Sequence, residues 1–396
     1  MTLDLPSPLI FRKGLNLKDA VAGLLAENYH SDLVERIKAS DFTYRAGRLT
    51  IHLAREFGFC YGVDRAVDYA YQTRRRFPDR PVWLTGEIIH NPHVNDQLRA
   101  MGIRFLSDEH ASLGPDDVVI LPAFGVTVAQ LQQLESRGCT LVDTTCGSVL
   151  NVWKNVRRYT EQGHTSIIHG KVWHEETQAT ASQAVAYGGR YLVVFDAHET
   201  DLVCEYIRGR GNRAAFLDKF ARAASEGFDP DRDLDRIGLA NQTTMLMSES
   251  LAIGEMLKQA MIDRFGATNL SAHFQAFDTI CSATQDRQDA VVALLREVPV
   301  DLMLVVGGYN SSNTCNLARI CAASCPTYHI ADPSGLVSRD EIRHRPVGTK
   351  EERISQGWLP AEGGVSIGLT SGASTPDNLV GEIVAALEGF TLTTNS

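Results

Sequence analysis

The sequence predicts an α/β protein made of three related α/β domains around one central site. Three apolar stretches each end at a cysteine (Cys60, Cys146 and Cys281), and a helical stretch follows each cysteine. A second apolar strand ending in a polar loop comes about 30 residues later, the minimum length of a parallel crossover. Because parallel sheets bind ligands at the carboxyl ends of their strands, the pattern predicts a shared pseudo-threefold site. Coincidence within a single large sheet remains the alternative explanation.

The domain organisation follows from this repeat. We expect domains at residues 48–145, 146–275 and 276–396, each of which contains one of the three cysteines. A third apolar strand with a small polar loop completes each domain. Residues 1–47 are predicted to form an N-terminal extension with an amphipathic helix over residues 17–37. Two charged segments, 195–237 and 331–361, interrupt the repeat and are predicted to be insertions that carry surface helices.

Composition limits the functions that the chain can have. The 396 residues are 44% hydrophobic and carry a formal net charge of −10, which argues against nucleic acid or an anionic membrane as a partner. The first residues lack the apolar core of a signal peptide, and no stretch approaches the roughly 20 apolar residues of a membrane span. We therefore expect a cytoplasmic protein, in which eight cysteines indicate metal binding, catalysis or burial rather than disulfides.

The three repeated cysteines are the candidate metal ligands. Each is expected at a helix N-terminus, where backbone N–H groups and the helix dipole favour the thiolate, a ligand for zinc or an iron–sulfur cluster. Any one of them alone is better explained as a buried inert thiol, but equivalent placement of all three favours a shared site. Four cysteines usually hold a cubane cluster, so three leave one iron open to a substrate oxygen. No CxxC pair suggests a closed zinc site. Burial is the favoured explanation for Cys315, Cys321 and Cys325, and Cys139 and Cys204 carry no signal.

The loops at the predicted strand ends carry small hydrogen-bonding side chains suited to anionic oxygens. These candidate binding residues are His90, Asn91, His174, Thr243, Ser311, Ser312, Asn313 and Ser374. A lone histidine is more often structural, but two at corresponding loops favour a site. Glu176 is the candidate proton donor, provided that its surroundings raise its pKa. Its alternative role is that of an acid in the first turn of a helix, where carboxylates are favoured anyway.

Eight motifs follow one another along about residues 50–385, namely GFCYGVDRAV at Cys60, GEIIHN at His90, DTTCGSV at Cys146, HEET at His174, NQTT at Thr243, TICSATQDRQ at Cys281, NSSNT at Ser311 and SGAST at Ser374. In these motifs the chain resembles the 4-hydroxy-3-methylbut-2-enyl diphosphate reductases. The resemblance implies a trefoil-like arrangement of three α/β domains around a central [4Fe-4S] cluster. Cys60, Cys146 and Cys281 match its three ligands, which leaves one iron site open.

The same resemblance implies roles for the loop residues. The substrate diphosphate is expected among the residues that match His90, Asn91, His174, Gln242, Ser311, Ser312, Asn313 and Ser374. Glu176 and Thr243 match the residues that handle the substrate hydroxyl and its protons. The implied reaction is reductive dehydroxylation to isopentenyl and dimethylallyl diphosphate, the last step of the non-mevalonate pathway, with ferredoxin or flavodoxin as the electron donor.

One residue departs from the pattern of many family members. Phe124 in PAFGVT stands where they have histidine. The phenylalanine resembles the plant and cyanobacterial branch, and it removes one expected phosphate contact. Two other functions stay open on the residues alone. One is a zinc hydrolase that uses His174, Glu176 and a cysteine, and the other is a non-enzymatic iron–sulfur sensor. An acidic donor would need a basic patch, for which Arg74, Arg75, Arg76, Arg157 and Arg158 are candidates, although they are equally explained as solvated helix faces.

Overall fold

The computed structural model describes residues 9–108, 112–277 and 279–392. The strands are β1 Ile10–Phe11, β2 Thr43–Ala46, β3 Leu49–Leu53, β4 Val82–Leu84, β5 Ile103–Phe105, β6 Val118–Leu121, β7 Thr140–Asp143, β8 Thr165–His169, β9 Tyr191–Val194, β10 Ile237–Asn241, β11 Phe274–Ala276, β12 Leu302–Val306, β13 Thr327–Ile330, β14 Glu341–His344, β15 Arg353–Gln356 and β16 Val365–Ser371.

The helices alternate with these strands for most of the chain. They are α1 Lys18–Tyr29, α2 Asp32–Ala39, α3 Tyr61–Arg76, α4 Pro92–Ala100, α5 Val128–Ser136, α6 Gly147–Glu161, α7 Glu175–Ala186, α8 Ala197–Ile207, α9 Arg213–Lys219, α10 Pro230–Asp233, α11 Met247–Phe265, α12 Leu270–His273, α13 Ser282–Glu297, α14 Ser312–Ala322 and α15 Asp377–Leu392. Within the described ranges, no helix combines the length and the apolar character needed to cross a membrane.

The chain divides into two compact units. The first comprises Met1–Ile10 and Ala111–Cys281. Its parallel sheet has the strand order β11-β10-β8-β9, and β6 pairs in parallel with β7. Every residue of β8 and β10 is buried, which is expected of strands covered on both faces. Helices α8 and α11 pack against each other and bury side chains such as Val203 and Leu257.

The second unit comprises Phe11–His110 and Ser282–Ser396. Its main sheet has the order β13-β12-β16-β3-β2, in which β2 is antiparallel to β3 and the other neighbours are parallel. The run LMLVV of β12 is buried throughout. The pair β4 and β5 is parallel as well. The three helices predicted to follow the cysteines are present, since α3, α6 and α13 begin directly after Cys60, Cys146 and Cys281.

The predicted crossovers within single sheets are wrong. Strand β3 pairs with β16, whereas β4, which follows it after α3, pairs with β5. Strand β7 pairs with β6, but β8, which follows α6, belongs to the sheet of β9, β10 and β11. A length of about 30 residues fits a connection between sheets as well as a crossover within one, because local sequence does not encode which strands pair. The polar loops still follow the carboxyl ends of their strands, as predicted.

Three further expectations need correction. The helix predicted over residues 17–37 is two helices, because Ser31 accepts from the N–H of Val34 and begins α2. The segment 195–237 does carry helices, but Phe216 and Phe220 are buried in the core of the first unit, so it is more than a surface covering. The segment 331–361 forms a 3-10 turn and the antiparallel pair β14 and β15 instead of surface helices. The predicted domain boundaries stay a prediction.

Candidate functional site

A buried carboxylate in the first unit accepts two hydrogen bonds from the same residue. Glu176 is the second residue of α7 and only 3% exposed. Its Oε1 accepts from the backbone N–H of Thr243 at 2.6 Å, and its Oε2 accepts from the Thr243 hydroxyl at 3.0 Å. Thr243 lies in the loop that follows β10. Glu176 is therefore more than an acid in the first turn of a helix, because both of its oxygens are directed at a second predicted site residue.

The same loop holds one of the candidate metal ligands. The N–H of Cys281 donates to the carbonyl oxygen of Thr243 at 3.2 Å. The hydroxyl of Ser148, in the first turn of α6, donates to Cys281 Sγ at 3.4 Å. Since Cys146 is the N-cap of α6, its helix and Cys281 meet in this unit. The first unit thus brings together the predicted proton donor and the segments of two predicted cluster ligands.

His174 is oriented by the helix that it begins. As the N-cap of α7, it accepts from the N–H of Glu176 through Nδ1 at 3.2 Å. A ring that accepts through Nδ1 carries its proton on Nε2, which makes Nε2 a hydrogen-bond donor. Phe124 packs edge-on against this ring, with 6.1 Å between the ring centroids and 74° between the planes. The phenylalanine therefore forms an apolar wall beside His174.

Gln242 connects two loops of the first unit. Its Oε1 accepts from the N–H of Lys171 at 3.1 Å and from the Thr177 hydroxyl at 3.2 Å, and its Nε2 donates to the Thr244 hydroxyl at 2.8 Å. The side chain is 1% exposed. These contacts give Gln242 a positioning role toward the loop after β8, beside the substrate role that the resemblance implies.

Cys60 is anchored in the second unit by the loop after β16. Its N–H donates to the carbonyl of Ala373 at 3.1 Å, and the N–H of Gly58 donates to the Ser371 hydroxyl at 3.0 Å. Gly58 has φ +79°, and a Cβ there would lie 2.3 Å from a carboxylate oxygen of Asp377, so glycine is required. Cys60 then acts as the N-cap of α3 with no side-chain cap bond, which leaves its thiol group outside the helix's own hydrogen bonding.

The loops after β12 and β16 meet in the second unit. Asn313 is 3% exposed, and its Oδ1 accepts from the N–H of Ala373 at 2.9 Å. Its Nδ2 has no hydrogen-bond partner among the described residues. The Ser374 hydroxyl donates to the carbonyl of His90 at 3.3 Å. Ser311 is the N-cap of α14, and Ser312 is buried in the first turn of the same helix. The structure thus brings Ser311, Ser312, Asn313, Ser374 and the loop of His90 together.

Two residues that sequence reasoning missed orient His90. Glu87 Oε2 lies 2.8 Å from His90 Nδ1, and Asn310 Nδ2 donates to the same carboxylate oxygen at 2.7 Å. Glu87 lies in the motif GEIIHN and Asn310 in the motif NSSNT. Their positions in these motifs were the available signal. Asn91 is mainly a cap for α4, accepting from the N–H of Val94 at 3.3 Å, and its Nδ2 is unpartnered among the described residues.

The other cysteines differ from the three candidates. None of the eight forms a disulfide in the described part of the chain, and Cys60, Cys146 and Cys281 are partly exposed, whereas Cys139, Cys204 and Cys321 are buried. Burial raises the pKa of the Cys204 thiol to about 12, which keeps it protonated at neutral pH. Burial also raises the pKa of Cys321. It raises the pKa of Cys325 as well, although this thiol is less completely enclosed. The predicted burial is confirmed for Cys321, while Cys315 and Cys325 are only partly buried.

Comparison with known proteins decides the family. The model of the LytB protein family matches residues 51–388. The chain belongs to the LytB family. A curated relative from Synechococcus sp. (strain RCC307), named 4-hydroxy-3-methylbut-2-enyl diphosphate reductase, is 50% identical over 95% of this chain and 92% of its own length. A relative of the same name from Gloeobacter violaceus is 49% identical over 95% of this chain and 91% of its own length.

Solved structures share the fold of this LytB chain. A structure described as (E)-4-hydroxy-3-methyl-but-2-enyl diphosphate reductase, the terminal enzyme of the non-mevalonate pathway, matches with a TM-score of 0.51 at 24% identity, covering 86% of this chain and 99% of its own. The E-1-hydroxy-2-methyl-but-2-enyl-4-diphosphate reductase from Plasmodium falciparum matches with a TM-score of 0.59 at 21% identity, covering 85% and 86%. The α/β fold class and the family resemblance predicted from the sequence are confirmed.

Proposed function

We propose that this LytB chain catalyses the reductive dehydroxylation of 4-hydroxy-3-methylbut-2-enyl diphosphate to isopentenyl and dimethylallyl diphosphate. Its curated relatives, about half identical over 95% of the chain, carry the name of this reductase. The observation that carries the proposal is the connection from Glu176 through Thr243 to Cys281, in which a buried carboxylate and a candidate cluster ligand are bound to one residue. Such an arrangement suits coupled transfer of protons and electrons.

Cys60, Cys146 and Cys281 are the proposed ligands of a [4Fe-4S] cluster with one open iron site. The donor set fits this group, because all three are thiols outside any disulfide, partly exposed and directly before helices. The hydrogen bond from Ser148 to Cys281 Sγ also suits a thiolate, since charged acceptors form the stronger bonds. When bound, the cluster supplies electrons and a Lewis-acidic iron for the substrate hydroxyl.

The diphosphate is proposed to bind at the start of α14 and at the two histidines. Helix N-termini bind phosphate through free N–H groups and the dipole, and the Asn313 Nδ2 adds a buried donor with no partner among the described residues. His174 offers Nε2–H, as its Nδ1 accepts from Glu176. Ser311, Ser312, Ser374, His90, Asn91 and Gln242 complete the proposed substrate site. Anchoring the diphosphate holds the hydroxyl-bearing carbon in position for reaction.

Glu176 is the proposed proton donor. The reaction takes up two electrons and two protons, the C–O bond of the hydroxyl-bearing carbon breaks, and the oxygen leaves as water. Glu176 delivers the proton that the leaving oxygen needs, and Thr243 keeps the carboxyl group aligned through its two hydrogen bonds. The second proton goes to either end of the allylic unit, which gives the two products. Ferredoxin or flavodoxin is the proposed electron donor, and the cytoplasmic location also stays a prediction.

Anaerobic turnover tests the proposed function. Purified protein is reconstituted with iron and sulfide, its iron, sulfide and zinc contents are measured, and reduced methyl viologen is supplied with the substrate. Dye oxidation together with both five-carbon diphosphates is the expected result. A protein with an intact cluster that forms neither product would overturn the substrate assignment. Stoichiometric zinc without sulfide would favour a hydrolase instead.

A further inference from the structure

A buried arginine in the second unit has no carboxylate partner. Arg287 lies in α13, six residues after Cys281, and is 4% exposed. Charged side chains are almost never this deeply buried unless an opposite charge or a metal centre accompanies them, because desolvation of the charge is costly. The guanidinium of Arg287 therefore needs an explanation that its own helix does not provide.

Two carbonyl oxygens occupy part of its hydrogen-bonding capacity. Nη1 donates to the carbonyl of Ala283 at 2.7 Å, and Nη2 donates to the carbonyl of Gly58 at 2.8 Å. The Nε–H has no partner among the described residues. These neutral acceptors satisfy hydrogen bonds but do not neutralise the positive charge.

The acidic side chain that lies against Gly58 is already paired. Asp377 lies against Gly58, but its Oδ2 accepts from Lys38 Nζ at 2.8 Å. Within the described part of the chain, no carboxylate lies within 4.0 Å of the Arg287 guanidinium. The protein's formal charge is −10, so acidic residues are plentiful, yet none among the described residues forms an ion pair with this guanidinium. The counter-charge is therefore expected to come from something other than a side chain.

The position of Arg287 connects it with two proposed cluster ligands. Gly58, which accepts its hydrogen bond, is two residues before Cys60 and is itself held by Ser371. Helix α13, which carries it, begins directly after Cys281. Arg287 thus donates a hydrogen bond to the loop of Cys60, and it belongs to the helix that begins directly after Cys281.

We infer that Arg287 is the buried counter-charge of the iron–sulfur cluster and that it raises the cluster's reduction potential. The inference rests on the proposed function. A cluster held by three thiolates carries a net negative charge, which grows when an electron is added. A fixed positive charge in a low-dielectric interior stabilises the more negative, reduced form more strongly. Arg287 thereby makes reduction of the cluster easier for its electron donor.

Substitution of the charge should lower the potential. Arg287→Met removes the charge and keeps an unbranched apolar chain, and Arg287→Lys keeps the charge without the two-pronged hydrogen bonding. Arg296→Met, at an exposed position of the same helix, is the matched control. Potentials are measured by anaerobic spectroelectrochemistry without substrate, together with iron and sulfide content. For Arg287→Met we expect at least a tenfold lower ratio of reduced to oxidised cluster at a given potential, about 59 mV for one electron.

The variants separate a charge role from a structural one. Arg287→Lys and Arg296→Met should retain potentials close to that of the unmodified protein. If Arg287→Met loses the cluster while Arg287→Lys keeps it, the need for charge is supported by cluster content alone. An unchanged reduction potential in Arg287→Met with a full cluster would overturn the inference. Equal shifts of the potential in the Met and Lys variants would also overturn it, and so would equal loss of the cluster in both. Because no substrate is present, these results are independent of whether the proposed reaction is correct.

Discussion

Thr243 donates two hydrogen bonds to Glu176, one from its backbone N–H to Oε1 at 2.6 Å and one from its hydroxyl to Oε2 at 3.0 Å. Both carboxylate oxygens are therefore aligned by Thr243. The backbone bond survives any non-proline substitution at position 243, whereas the hydroxyl bond depends on the side chain. This division allows the positioning of the carboxyl group and its acidity to be tested separately.

Glu176→Gln should abolish most turnover while leaving the fold and substrate binding intact. Glutamine keeps an oxygen that can accept from the Thr243 amide, but it has no proton to deliver. We expect turnover with reduced methyl viologen to fall by roughly 10²-fold to 10⁴-fold. Substrate affinity, measured by calorimetry on the oxidised protein, should change little. Turnover near that of the unmodified protein would exclude Glu176 as the proton donor.

Thr243→Val should have a smaller effect of the same kind. Valine has a similar shape and retains the backbone bond, but it removes the hydrogen bond to Oε2. Since an ordinary hydrogen bond contributes about 0.5–1.5 kcal/mol, turnover should fall by roughly twofold to tenfold. Thr243→Ser keeps the hydroxyl and serves as the control. Equal activity of the Val and Ser variants would show that the hydroxyl does not contribute.

Loss of any proposed ligand should remove the cluster. Cys146→Ser and Cys281→Ser are expected to yield protein with little iron and sulfide and without the brown colour, because serine oxygen is a poor substitute for thiolate at iron. Cys204→Ala is the matched control, since burial raises the pKa of this thiol to about 12 and keeps it protonated. Full iron and sulfide in either serine variant would refute that ligand assignment.

Asn313→Asp should weaken substrate binding. Aspartate keeps an oxygen for the N–H of Ala373 but replaces the unpartnered Nδ2–H donor with negative charge. Repulsion of the diphosphate should raise KM by on the order of tenfold or more. Asn212→Asp changes charge equally at the N-cap of α9 and should leave KM unchanged. If the two variants have the same KM, Asn313 does not contact the diphosphate.

Acid should destabilise the protein through His169. Burial lowers the pKa of this histidine from 6.5 to about 4. The unfolded chain therefore binds a proton below pH 6.5 that the folded protein does not bind until about pH 4, so stability is lost as the pH falls through this window. The full loss is on the order of 3 kcal/mol.

Denaturant unfolding at pH 7 and pH 5, under anaerobic conditions, measures this effect. His169→Asn should reduce the difference in unfolding free energy between the two pH values, because the variant no longer titrates there. His198→Asn changes an exposed histidine and is the control. The same pH dependence in His169→Asn as in the unmodified protein would contradict the assignment.

The sequence predicted the position of each cysteine because a strand, a cysteine and a helix start form a local pattern. Cys60, Cys146 and Cys281 all lie directly before helices. The pairing of the strands before and after these helices was predicted wrongly, because pairing depends on contacts far apart in the chain. The hydrogen bond between Cys281 and Thr243 could not be predicted from the sequence for the same reason. The burial of Arg287 could not be predicted either, because the sequence of its helix is rich in charged and polar residues. Glu87 was overlooked because its role appears only once His90 is placed.

The strand β16 lies between β12 and β3, which gives the chain a defined order of assembly during synthesis. β3 is made early, yet its parallel neighbour does not exist until residues 365–371 have left the ribosome. The bonds that fix the Cys60 loop, to Ser371 and Ala373, form later still. The sheet that contains β8, β10 and β11 has all its strands by then. Cys60 thus reaches its final position only after residues 371–373 have been made, and a cluster that needs this ligand can be completed only after that point of synthesis.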